Sequence, residues 1–400
     1  MKCMMKLAGC FLAFIILAAC GLQCESVELP QTVKEPTATE PHIPEITYTP
    51  TEIPTPAITE TPSKTATPTQ PKSDVCFLSL PITYVNPFED PPVVVLLDPY
   101  NADKLHQISA VGLRAGMVSA VTQNGFFFID EDLEQMQFLD LDGNVEVLDF
   151  LNPDGGPFQG VVLPSPDGER VAHSFVTYDD DGGGHVKILV FNVDGSDEIV
   201  VLEKYVESRP ARPTPIKWSA DSQYLYAMNV IEGVGAYGGL DLNRIEIQTG
   251  ISETIFPDLD YLSTISVSLD ERYAARILRG ETLKLVIKAL ETGDEMTLLL
   301  PSEYYQAGEM VWAPDSSAVL ISVWGHEGDV DTFSVLYVDL VEQEVNVLFP
   351  DEGRFLRPVA WQVMDVIWLN DNEGNLWRME ADNLQMTLIA QEAWIIPRSR

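Results

Sequence analysis

The chain has 400 residues, 46% of them hydrophobic, with 61 acidic and 24 basic side chains and a formal net charge of −37. This is enough apolar material for one large domain or two ordinary ones. The negative charge argues against nucleic acid as a partner, because such a surface repels phosphate backbones. It favours solubility, cations or a basic partner.

Residues 1–74 hold eight acids and five lysines, which leaves 53 acids against 19 bases in residues 75–400. The negative charge therefore belongs to the body of the chain. The first residues, MKCMMKLAGCFLAFIILAAC, place two lysines before an apolar run from Leu7 to Ala19. That is the layout of a secretory signal. Its end, Leu17-Ala18-Ala19-Cys20, resembles the bacterial lipoprotein signal, in which small residues precede a cysteine. The resemblance implies cleavage before Cys20 and lipidation of its thiol, so 1–19 is expected to be a signal peptide. An ordinary secretory signal or an uncleaved anchor is the alternative. Later in the chain no apolar run of about 18 residues occurs that would span a bilayer.

Five cysteines are present: Cys3, Cys10, Cys20, Cys24 and Cys76. In an oxidising compartment Cys24 and Cys76 are candidates for a disulfide. Their spacing with histidine suggests no zinc site. Residues 20–74 form the lipidated cysteine and a spacer rich in Thr and Pro, with few large apolar groups to offset backbone entropy. Proline biases such a segment toward extended polyproline II, about 3.1 Å per residue. The expected role is a stalk that holds residues 75–400 away from a membrane.

From Cys76 onward short apolar strands alternate with polar turns. One hairpin recurs: VSAVTQNGFFFI (Val118 to Ile129), VVLPSPDGERVAHSFV (Val161 to Val176), IKWSADSQYLYAMNV (Ile216 to Val230), ISVSLDERYAARIL (Ile265 to Leu278), MVWAPDSSAVLISVW (Met310 to Trp324) and VAWQVMDVIWLN (Val359 to Asn370). The turns align Asn124, Asp167, Asp221, Asp270, Asp315 and Met364, at intervals of 43, 54, 49, 45 and 49 residues. A period of 40 to 55 holding four strands is the mark of a β-propeller. The four aspartates are expected to accept backbone N–H groups within their turns. Trp218, Trp312 and Trp361 precede three of the turns and are expected to wedge between neighbouring blades. These W-S-P-D-G-type repeats resemble the TolB-like and WD-repeat-like β-propellers over about residues 76–397. The resemblance implies the architecture. It carries little about function, since such propellers serve as scaffolds, as parts of peptidases and in many other settings. The fold class is therefore all-β. Seven blades are expected, with three N-terminal strands and one C-terminal strand closing the ring; six blades with extra edge strands is the alternative.

No nucleophile elbow, metalloprotease helix, P-loop or dinucleotide fingerprint occurs. In a propeller the second–third and fourth–first connections emerge on one face. The long connections there are expected at 178–185, 232–241, 324–331, 204–215 and 350–358. Functional residues concentrate on such loops, which makes Tyr178, Asp179, Asp181, His185, Tyr237, Arg209, Arg212, Trp324, His326 and Arg354 the candidate binding residues. The arginines, with Arg357, are also read as partners of nearby acids. Asp179, Asp180 and Asp181 are a candidate Ca2+ site, although the run lacks the spacing of an EF-hand; no other cofactor or metal is implied. The expected function is a binding scaffold for a protein or an envelope polymer, monomeric, extracytoplasmic and held to the membrane by lipid alone. A glycan-acting or other hydrolytic propeller using acids with His185 or His326 at the central funnel, and a structural envelope component, are the alternatives.

Overall fold

The computed structural model describes residues 81–395 except 90, 110–112, 114–117, 123, 131–133, 152–159, 180–181, 208–210, 231–238, 258–263, 328–329 and 350–354. Cys20, Cys24, Cys76, Asp181, Arg209, Tyr237 and Arg354, with the segments 1–19 and 20–74, lie outside the described residues.

The described strands form seven four-stranded antiparallel sheets. Blade 1 is Trp394–Ile395, Ile82–Asn86, Val93–Leu97 and Lys104–Ser109. Blade 2 is Val118–Val121, Gly125–Ile129, Met136–Asp140 and Val145–Val147. Blade 3 is Val161–Pro164, Arg170–Tyr178, Gly184–Asn192 and Ile199–Val206. Blade 4 is Arg212–Trp218, Tyr224–Val230, Leu242–Glu246 and Ser252–Phe256. Blade 5 is Ile265–Val267, Tyr273–Leu278, Lys284–Ala289 and Glu295–Leu299. Blade 6 is Tyr304–Trp312, Ala318–Glu327, Val330–Asp339 and Glu344–Val347. Blade 7 is Leu356–Val363, Val366–Asp371, Leu376–Glu380 and Met386–Ala390. Blade 1 is the composite: the C-terminal strand pairs with the N-terminal one through Tyr84↔Ile395 and Val85↔Trp394.

First strands of successive blades touch one another, blade 2 to 3, 3 to 4, 5 to 6 and 6 to 7, so they gather around the axis. Each is a sheet edge, with no partner on its inner side. That explains why Pro213, Pro215 and Pro358 sit inside strands: an edge tolerates a residue without an N–H. Arg212 and Pro215 were expected in a connection. They belong to the first strand of blade 4, where Arg212 pairs with Val230 and Pro215 with Ala227.

Buried apolar residues divide into seven clusters, each shared by two adjacent blades. Alternate residues of one strand serve different clusters. In blade 4, Leu225 and Ala227 pack toward blade 3, while Tyr226 packs toward blade 5. Both sheet faces are thus buried, as strands with near-continuous apolar sequence require. Trp218 packs on blade 3, Trp312 on blade 5 and Trp361 on blade 6, in each case the preceding blade. Trp218 donates from Nε1 to the Leu163 carbonyl at 2.9 Å, and Trp312 to Ser266 Oγ at 3.1 Å.

The four aspartate turns share one geometry. Oδ1 of Asp167, Asp221, Asp270 and Asp315 accepts the backbone N–H two residues on, at 3.0 to 3.1 Å. The residue after each aspartate is left-handed: Gly168 at φ 72°, Ser222 at 56°, Glu271 at 59° and Ser316 at 58°. Only the first copy uses glycine there. The others use the position to reach the neighbouring blade: Glu271 accepts from Ala220 N at 2.6 Å, and Ser316 donates to Asp270 at 2.8 Å. Burial alone would raise the Asp270 carboxyl; hydrogen bonds from Arg272, Ser316 and Ser268 outweigh it and hold the group below the usual carboxylate range. The last repeat, with Met364 at the aligned position, closes differently. Its strands pair up to Val363↔Val366, leaving a two-residue turn. In blade 2, Thr122 N donates to Gly125 O at 2.8 Å. With no aspartate acceptor at the aligned place, neither repeat holds the longer turn.

Candidate binding site on the loop-bearing face

The second and third strands of blade 6 are ten residues each, and their pairing runs out to Glu327↔Val330. The segment 324–331, expected as a loop, is therefore mostly paired strand. Its aromatic and alternating sequence satisfies ladder hydrogen bonds that a loop would leave open. The fourth strand pairs only with Leu336 to Asp339. The distal half of the hairpin thus projects past the outer edge strand.

Side chains two apart share a face of a strand. Trp324 and His326 share one face, opposite their register partners Phe333 and Asp331. Tyr305, from the first strand of blade 6, lies on His326 with ring centroids 4.5 Å apart and planes inclined by 18°. Asp331 Oδ1 is 2.6 Å from His326 Nδ1. Phe355, next to the first strand of blade 7, packs on Trp324 at 4.9 Å and on Phe333 at 5.1 Å. A Cβ at position 308 would sit 2.3 Å from Trp324 Cη2, so glycine there makes room for the indole. The result is a ledge: Tyr305, His326 and Asp331 are exposed, while Trp324, Phe333 and Phe355 are half-buried beneath them.

Inward of the ledge the buried Glu309 pairs with Arg357, whose side chain is 34% exposed. Arg357 Nη1 donates to Glu309 Oε1 at 3.4 Å, and Ser322 Oγ donates to Glu309 Oε2 at 3.0 Å. Arg357 Nη2 also donates to Asn370 Oδ1 at 2.8 Å. Glu309 belongs to blade 6 and Arg357 to blade 7, so the pair ties the two blades together below the ledge.

The other candidates fall elsewhere. Tyr178, Asp179 and His185 are exposed at the matching connection of blade 3, where Asp179 N donates to Gly183 O at 2.9 Å. The His185 ring lies 5.1 Å from that of Tyr205. Arg212 is half-buried, and its Nε has no hydrogen-bond partner among the described residues. His185 is on a third strand and His326 on a second strand, three blades apart, so neither lies on the strands that line the axis. The structure does not bring these two histidines together. Among the described residues no group of three His, Cys, Asp or Glu is placed to hold a metal ion. Sequence reasoning passed over Tyr305, Asp331, Phe333, Phe355 and Glu309. The alternation of Trp324 with His326, and of Asp331 with Phe333, was the signal for a paired strand rather than a loop.

No family model matches the chain, and no curated protein matches it. Solved structures do. A prolyl endopeptidase is similar at TM-score 0.56 and 10% identity, over 80% of this chain and 51% of that one, so the chain spans about half its length. An oligogalacturonate lyase in complex with manganese is similar at TM-score 0.51 and 11% identity, over 73% of this chain and 82% of that one. TolB from Acinetobacter baumannii is similar at TM-score 0.42 and 14% identity, over 79% and 82%, a likeness too low to carry an argument. At such identities the likeness speaks for the fold alone. With seven four-stranded antiparallel sheets and a composite first blade that joins the two ends of the domain, the chain is an all-β, seven-bladed propeller.

Proposed function

We propose that the chain is a lipid-anchored, extracytoplasmic binding module whose loop-bearing face engages a protein or an envelope polymer. The observation that carries this reading is the exposed ledge of Tyr305, His326 and Asp331 on a projecting hairpin paired out to Glu327 and Val330. Rigid display of exposed aromatic and polar groups suits recognition, because little conformational freedom is lost on binding. The Leu17-Ala18-Ala19-Cys20 end of the leader supports the anchor, and the Thr/Pro-rich segment up to residue 74 supports a stalk. In this mechanism the lipid sets location, the stalk sets reach and the ring keeps the loops in register. The module acts as a monomer and performs no covalent chemistry.

The test has two arms. Cys20→Ser should move the protein from the membrane to the soluble extracytoplasmic fraction; continued membrane fractionation removes the anchor. The same soluble full-length chain should capture a component of an envelope extract, and Tyr305→Ala should lose it. Capture unaffected by Tyr305→Ala places binding on another surface.

A further inference from the structure

We propose that the cleft between blades 4 and 5 holds a small monovalent anion on the guanidinium of Arg276. The site lies apart from the Tyr305 ledge and does not depend on the binding role given to that ledge.

Four observations lead there. The first is an arginine without an acceptor. Arg276, in the second strand of blade 5, is 8% exposed, and its Nε and Nη1 are buried with no hydrogen-bond partner among the described residues. By contrast Arg170, Arg244, Arg272, Arg357 and Arg378 each donate to a protein oxygen. A guanidinium is a donor only and keeps its charge, so burying it without an acceptor is costly. An anion supplies the acceptor and the counter-charge together.

The second is place. Arg276 pairs with Ile265 and Val286 and shares a strand face with Ala274, and these three pack in the apolar cluster common to blades 4 and 5. Its Cζ lies 4.5 Å from the ring centroid of Phe256, which belongs to blade 4. That ring attracts the cation, yet it offers no oxygen lone pair to the N–H groups. Ile265 is the first residue of its strand, so Arg276 stands at the loop-bearing end of the cleft.

The third concerns the neighbouring acid. Glu295 is the carboxylate whose field reaches Arg276. Its Oε1 is 3.6 Å from Lys288 Nζ, and it bonds neither Nε nor Nη1 of the arginine.

The fourth is charge. One guanidinium among apolar side chains offsets one negative charge, and a divalent anion would leave the second uncompensated. A chain at −37 repels the divalent species further. The class is therefore a small monovalent anion, a halide or a small carboxylate.

The experiment is thermal unfolding of the full-length chain and of Arg276→Met, followed by circular dichroism. The salts are sodium chloride, acetate, gluconate and sulfate, all at one ionic strength of about 0.2 M so that screening is equal. The Tm difference between parent and variant in each salt is the quantity read, because general salt effects act on both. In gluconate, a bulky hydroxylated anion, the variant should be at least as stable as the parent, since Met replaces a buried unpaired charge. In chloride or acetate the parent should gain at least about 2 °C on the variant, saturating with a Kd between about 1 and 100 mM. A gain in chloride alone makes the ligand a halide, and one in acetate alone a carboxylate; each supports the site. A variant that is less stable than the parent in gluconate, or does not fold there, overturns the proposal, because Arg276 is then satisfied within the protein. So does an equal response of parent and variant to every salt, or a largest relative gain in sulfate. The proposal also falls if the gain appears only once Asp258 and Asp260, which follow Phe256 in the chain, are both replaced by Asn. Those acids, rather than a solute, would then be the partner of the guanidinium.

Discussion

The indole nitrogen of Trp218 donates to the carbonyl oxygen of Leu163 at 2.9 Å, so a side chain from the fourth blade completes a hydrogen bond of the third. Trp218 is 3% exposed and packs with Ala172, Ile188 and Val190 of blade 3. Blade-to-blade contact is where the ring acquires its cohesion, because each blade buries both faces only against its neighbours.

Trp218→Ala should therefore destabilise the domain by about 3–5 kcal/mol, the range for a large aromatic lost from a core. Trp218→Phe keeps most of the apolar contact and leaves the Leu163 carbonyl without its donor, at about 1–2 kcal/mol. Urea denaturation of both variants checks the order. Equal losses would mean that the apolar contact contributes nothing beyond the hydrogen bond.

Ring closure depends on two residues of the last strand, Trp394 and Ile395, pairing with Val85 and Tyr84. Truncation after Ala390 removes that strand and Ala393, which is fully buried between blades 7 and 1. The truncated chain should lose about 3 kcal/mol or more, from an unpaired strand edge and an uncovered core. Amides of Ile82–Asn86 should exchange faster with deuterium than those of blade 4. Unchanged protection there would show that blade 1 does not need its C-terminal strand.

Lys217 is 8% exposed, and its Nζ donates to the carbonyls of Ser268 at 2.7 Å and Leu269 at 3.1 Å. Burial pulls its pKa down to about 8, against the opposing pull of Glu271 and Asp270. Between about pH 8 and pH 10.5 the unfolded chain then binds more protons at this site than the folded one. Stability contributed by Lys217 should accordingly rise with pH across that window and stay constant below it. Urea midpoints at pH 7.5 and pH 10, compared between the parent and Lys217→Met, isolate the effect. The parent should gain relative to the variant at the higher pH; the opposite sign would refute a depressed pKa.

Glu309 is 6% exposed and receives hydrogen bonds from Arg357 of the next blade and from Ser322. Arg357→Met leaves that carboxylate without its half-exposed cation, and should cost about 1–2 kcal/mol. Glu309→Gln keeps an acceptor and should cost about 1 kcal/mol. A double-mutant cycle measures their coupling. Additive losses would show that the two groups are not energetically joined.

Much of the architecture was legible because the turn chemistry repeats. Asp167, Asp221, Asp270 and Asp315 mark four turns that share backbone geometry to within about one hydrogen-bond pattern, and Asn124 and Met364 mark two more by spacing alone. The site was less legible. By composition the hairpin around His326 resembles a connection, with its glycines and acids, whereas register with Asp331 and Phe333 makes it a strand pair. Arg357 stood out among few cations, yet its partner Glu309 lies 48 residues away on another blade, and nothing local to either residue announces the pair.

By itself the sequence determined the repeat, the four-strand unit and the chemistry of the turns, since these depend on interactions between residues close in the chain. Tertiary structure alone decided which side chains meet: Trp218 with Leu163 and Glu309 with Arg357 across blades, and Tyr305 with His326 within blade 6. The physical reason is that strands buried on both faces lose the apolar–polar alternation that would reveal which way a side chain points. Its neighbours are then fixed by the closing of the ring.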